Sequence, residues 1–122
     1  MKHVDILVSK KALESLNDFA RLFFGIAGIQ DFEMRDSEHY EGGHYFIART
    51  GDRTFKVMFS NSAKHNDLPF WLRLSSTDEA ELLTTAEIDA LAQILVREGY
   101  KVARIIDKAR NSERRVDYHA NG

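Results

Sequence analysis

The stretch Glu38-His39-Tyr40-Glu41-Gly42-Gly43-His44 places two imidazoles and two carboxylates within seven residues. Such a set offers ligands to Zn²⁺ or another borderline divalent ion. The helix-borne HExxH motif needs its histidines four apart on one face. Here they are five apart across two glycines. The hairpin register derived below puts His44 on the core side of a strand beside Phe59 and leaves His39 in a loop. The expectation is therefore a solvated acidic loop with a strand-end histidine, no metal and no cofactor.

General acid–base or nucleophilic chemistry needs partners within hydrogen-bond reach. The five histidines, His3, His39, His44, His65 and His119, are scattered along the chain. His65-Asn66-Asp67 is first a turn signal. No P-loop, nucleophile elbow or dinucleotide fingerprint is present, and Gly25-Ile26-Ala27-Gly28 lacks the preceding strand such a fingerprint requires. Cysteine is absent. Thiolate nucleophiles, disulfides, iron–sulfur clusters and Cys-based zinc sites are thereby excluded. No catalytic residue is assigned.

A third group pairs flat rings with cations: Tyr45, Arg49, Lys56, Trp71 and Arg73. It emerges from a hairpin. Residues 44–50 and 53–59 flank Gly51-Asp52, a two-residue primed-turn signal. That loop sets Thr50 opposite Arg53, Ala48 opposite Phe55, Phe46 opposite Val57 and His44 opposite Phe59 on one side. Tyr45/Met58, Ile47/Lys56 and Arg49/Thr54 then share the other side. The first side is core. The second side, joined by Trp71 and Arg73 from a strand opened by Pro69, suits a protein partner, since Trp, Tyr and Arg are common interface anchors. Its rings and cations also suit stacking on single-stranded nucleic acid.

The remaining elements must position these groups. Residues 4–8 alternate weakly, as a short strand or a helix lead-in. Ser9 is a candidate N-cap for a helix in which Leu13, Leu16, Ala20, Phe23 and Ala27 share a face. Gly25 and Gly28 are candidate stops. Phe19, Leu22, Phe23, Phe24 and Ile26 make the second half of this helix apolar nearly all round, a candidate homodimer interface. Phe32 and Met34 alternate with Glu33 and Arg35 as a strand. Thr84 and Glu87 form a capping box ahead of the Ile88, Leu91, Ala92 and Leu95 stripe, which Gly99 ends. Residues 100–106 are favoured as a strand, with a polar segment after them.

The predicted fold is α+β, a single domain over residues 1–117 in the order (β)-α-β-β-β-β-α-β. It has a mainly antiparallel sheet of four to five strands, two helices and a flexible tail over residues 118–122.

A chain of 122 residues with 43% hydrophobic and 30% charged residues fits one globular domain. No secretory signal or membrane-length apolar run is visible, so a soluble cytoplasmic protein is expected. The formal charge is −2, which provides no global field for a polyanion. That balance hides segregation. Residues 31–41 carry a net −4 and residues 78–89 a net −5, against +4 over residues 97–115. Such blocks steer an encounter with one charged partner. The leading expectation is a small protein-binding module, in one concrete form an immunity or antitoxin-like inhibitor of a basic protein. Single-stranded nucleic-acid binding on the open sheet face is the alternative. A small-molecule or metal-dependent enzyme using residues 39–44 is the third reading.

Overall fold

The computed structural model describes residues 2–39, 41–51, 53–60, 63–76, 85–108 and 110–119. Seven strands form one antiparallel sheet in the order β2-β3-β4-β5-β1-β6-β7. They are β1 (Lys2–Val8), β2 (Glu33–Asp36), β3 (His44–Thr50), β4 (Arg53–Phe59), β5 (Phe70–Ser76), β6 (Val102–Ile106) and β7 (Arg114–Asp117). Two helices, α1 (Leu16–Ile26) and α2 (Thr85–Arg97), carry the crossovers from β1 to β2 and from β5 to β6. Neither is long and apolar enough to cross a membrane.

The class is α+β as expected, but the sheet has seven strands rather than four or five. One addition is β7, a mostly charged strand of four residues without an apolar alternation to betray it. Another is β1, whose weak alternation has a physical cause. It lies between β5 and β6 and is buried on both faces at Ile6, Leu7 and Val8. A strand covered on both sides has no polar face to alternate with.

The β3–β4 hairpin has the expected register, with Thr50 opposite Arg53, Ala48 opposite Phe55 and Phe46 opposite Val57. Gly51 supplies the positive φ of the turn, at 58°. Phe46, Ala48, Phe55 and Val57 join Ile6, Val8, Phe70, Leu72, Leu74 and Val102 in the main core beneath the helices.

The first helix starts later than the sequence suggests. Its N-cap is Ser15, not Ser9. The Ser15 hydroxyl accepts from the Asp18 amide, and Asp18 returns a bond to the Ser15 amide. Leu13 is 99% exposed with φ 63°, so it ends the preceding turn instead of joining the helix stripe. Ser9 ties β1 to the start of β6 through its bonds with the Lys101 backbone. At the other end Gly28 takes φ 74°, and the Ile29 amide reaches back to the Phe24 carbonyl.

The candidate dimer face of α1 is turned largely into the monomer's own core. Phe19, Phe23 and Phe24 are buried within the monomer. Leu22 and Ile26 pack half-buried against the same core. Phe24 stacks on Phe32 at 4.6 Å, and Phe19 stacks on Phe70 at 4.6 Å. An all-round apolar helix is needed because the core reaches both flanks of α1: the sheet on one side and the 29–32 segment on the other.

The second helix buries Ile88, Ala92 and Leu95 and ends at Gly99, φ 96°. Thr84 lies outside the described residues. Residues 102–106 form a strand, as favoured from the sequence. Tyr118 is not part of a loose tail. Its amide donates to the Val102 carbonyl at 2.9 Å and its hydroxyl to Asp89 at 3.0 Å, which docks the segment after β7 against α2.

Candidate binding face

The sheet face away from the helices is organised around a carboxylate. Register places Lys56, Arg73, Asp5 and Ile105 in one row across β4, β5, β1 and β6. Met58, Trp71, Leu7 and Ala103 form the next row. Asp5 is only 4% exposed. Its Oδ1 accepts from Trp71 Nε1 at 2.8 Å and from Arg73 Nε at 2.8 Å. Its Oδ2 lies 3.4 Å from a second Arg73 nitrogen and 3.7 Å from His3 Nε2. A buried carboxylate is tolerated only when paired and hydrogen-bonded, and these donors supply both.

Three cation–ring contacts build outward from that centre. The Arg73 guanidinium lies over the Trp71 ring at 4.8 Å, and Lys108 Nζ reaches the same ring at 4.4 Å from the β6–β7 loop. Lys56 Nζ lies 5.5 Å from the centre of the Tyr45 ring. Tyr45, Lys56, Trp71 and Arg73 are all half-buried. Arg49 shares the face but sits exposed near the hairpin end. The structure therefore brings four of the five sequence-selected residues into two ring–cation pairs and leaves Arg49 apart.

The rest of this face is covered by loops, not by a helix. Leu68 from the β4–β5 connection packs on Leu7, Ala103 and Ile105, with Trp71 at the margin. The same connection is fastened to β7. Both Asp67 carboxylate oxygens accept from Arg115 at 3.0 Å, and Arg115 also donates to Asp117 at 2.8 Å. The Arg115 hydrogen bonds hold the Asp67 carboxyl below its usual range. His65 Nε2 meets Glu113 at 3.2 Å, with both side chains largely buried. Over β3, β4 and β5 the same face buries Ile47 and Met58 and leaves Tyr45, Lys56, Trp71 and Arg73 half-buried.

Asp5, Lys108, Leu68 and the His65–Glu113 pair were not among the sequence-selected residues. Asp5 did leave a signal. It is the one charge within the apolar run Val4-Asp5-Ile6-Leu7-Val8 and falls at an alternate position, as an inward acid of a strand should. Lys108 left none, because the long-range fold of the β6–β7 loop brings it over Trp71.

The histidines of residues 39–44 do not converge. His39 is exposed, while His44 Nδ1 contacts the Gly42 carbonyl at 3.0 Å and its ring packs edge-on to Phe46 and Phe59. Among the described residues no three potential ligands gather into a metal set. No protein-family model matches the chain, and neither curated proteins nor solved structures yield a match.

Proposed function

We propose that the chain is a small protein-binding module whose Tyr45/Trp71 face receives an acidic partner. The observation that carries this reading is the joint hold of buried Asp5 on Trp71 and Arg73. Large anchor side chains fixed before encounter lose little rotamer freedom on binding. Trp, Tyr and Arg are the residue types that dominate interface energetics. Arg73 and Asp5 offset each other, and Lys56, Lys108 and Arg49 then give the face a positive character.

The immunity or antitoxin-like form, with a basic partner, would have to use the acidic 31–41 stretch or residues 78–89. Residues 77–84 lie outside the described part, and Glu33 of the first stretch is paired with Arg35 at 2.7 Å. The assembled face favours an acidic partner instead. Base stacking on Trp71 competes with the two cations already over its ring, which places single-stranded nucleic acid second.

The test is affinity capture from source cytosol at physiological salt, on the wild type and on a Lys56→Glu/Arg49→Glu variant. A protein with an acidic surface retained by the wild type and lost by the variant supports the reading. Recovery of no partner, or of one held equally by both, removes it. Saturable quenching of Trp71, the single tryptophan, by a single-stranded oligonucleotide would favour the nucleic-acid reading.

A further inference from the structure

Strands β1 and β6 part company halfway along. On its β5 side β1 stays paired out to Lys2 opposite Ser76. On its β6 side the pairing stops at Asp5 opposite Ile105. Beyond that point Asp107 adopts φ 55° and turns the chain away from β1. A polar cleft of about 310 Å³ opens between the diverging strands, lined in part by His3, Asp5, Arg104, Asp107, Lys108 and Arg110. Its volume is at the lower end of the range for small-molecule sites, roughly 300–1,000 Å³.

The charges around this cleft do not cancel. Asp5 is engaged by Arg73 from the far side, with Nε at 2.8 Å. The Asp107 carboxylate accepts from Ser112 at 3.0 Å within its own loop. Arg104, by its register opposite Ile6, belongs to the helix face, whereas Lys108 lies over Trp71 on the other face. A gap in the plane of the sheet is open to groups from both faces, so Arg104, Lys108 and Arg110 all border one space. Among the described residues none of the three pairs with a carboxylate. The three cations bordering the cleft outnumber its two carboxylates, Asp5 and Asp107, each of which already accepts a hydrogen bond elsewhere.

We infer that the cleft between the diverging ends of β1 and β6 is a binding site for a phosphate group, free or as a small phosphate monoester. Arginine and lysine around a compact oxyanion provide short charge-assisted hydrogen bonds. His3 also lines the cleft, with its Nε2 3.7 Å from Asp5 Oδ2. This site shares Asp5 and Lys108 with the protein-binding face but is separable from it in test, since Lys56 and Arg49 take no part in it.

The full chain is titrated with sodium phosphate and, separately, with methyl phosphate, against sodium chloride at matched ionic strength. Trp71 fluorescence is read through its contact with Lys108, and the melting temperature is followed alongside. Saturable responses to the phosphates and none to chloride are expected. Arg110→Ala and Lys108→Ala should each weaken binding about tenfold, while Arg21→Ala on exposed α1 surface should not. Retained circular dichroism shows that the variants are folded. Tighter binding of methyl phosphate identifies a phosphorylated metabolite, and tighter binding of the free ion identifies inorganic phosphate. A response that chloride reproduces, or that survives both Arg110→Ala and Lys108→Ala, overturns the site. Loss of partner capture in the Lys56→Glu/Arg49→Glu variant with phosphate binding intact would show the two surfaces to be independent.

Discussion

Trp71 Nε1 donates to Asp5 Oδ1 across the β1–β5 ladder at 2.8 Å, between the central strand β5 and its neighbour β1. The ring and the carboxylate are two residues out of direct register, on the same face, with Asp5 facing Arg73 and Leu7 facing Trp71. A single aspartate therefore fixes two neighbouring side chains of this face. Structural support and candidate binding surface are the same atoms here.

Asp5→Asn should remove the charge that Arg73 neutralises while keeping one acceptor for Trp71. Arg73 is 30% exposed, so water recovers part of the lost pairing. A destabilisation of about 1–3 kcal/mol is expected from the broken charge-assisted bonds. Urea denaturation measures it, and a double-mutant cycle with Arg73→Gln should return a coupling energy well above zero. Additive single effects would show that the pair contributes nothing jointly.

Phe24→Ala tests where the apolar half of α1 is used. Phe24 is fully buried against Phe23 and Phe32. Its truncation should cost about 3–5 kcal/mol of stability, as for other core phenylalanines. Because the side chain faces the monomer core, sedimentation should give the same mass before and after. A change of mass without loss of stability would return Phe24 to an intersubunit role.

Legibility from sequence followed the reach of each signal. Gly51-Asp52 is local, and from it the register and the two faces of β3 and β4 follow, including the shared side of Tyr45 and Lys56. The α2 stripe is local in the same sense. Ser9 and Ser15 both precede apolar runs, and only Leu13 turning to positive φ decides between them. Phe24 read as surplus because the 29–32 segment that covers it is not adjacent in the sequence pattern. Lys108 above Trp71 depends on a loop closing over a distance of 37 positions, the difference of their residue numbers. No period in the sequence records such a contact.

Alkaline pH should destabilise the fold through two tyrosines. Burial, aided by Asp89, pushes the Tyr118 hydroxyl up from 10.0 to about 12. Burial and the Glu14 carboxylate raise Tyr100 further still. A group whose folded pKa lies above its unfolded value favours the folded state fully below the unfolded pKa. That contribution declines as the pH rises from about 10 toward the folded value. Stability measured by urea should therefore fall above pH 10, and less steeply in Tyr118→Phe. An identical slope in the variant would show that Tyr118 ionises equally in both states.

The Asp67–Arg115 fork should act as an acid-sensitive fastening for the β4–β5 connection. Arg115 hydrogen bonds lower the Asp67 carboxyl from its ordinary 3.8. The fastening is thus complete above that unfolded value and is lost as the pH falls through the lower folded one. Both partners are partly exposed, at 26% for Arg115 and 47% for Asp67, so the global effect is small. The local effect is larger, because Arg115 joins the loop that carries Leu68 to an edge strand. Hydrogen exchange in Asp67→Asn should speed up at residues 64–68 and 114–117 with β3–β4 protection unchanged. Lowering the pH of the wild type well below 3.8 should have the same local effect after correction for intrinsic exchange rates. If exchange in the loop is indifferent to both changes, Leu68 packing alone holds it, and Asp67 is an ornament of the surface.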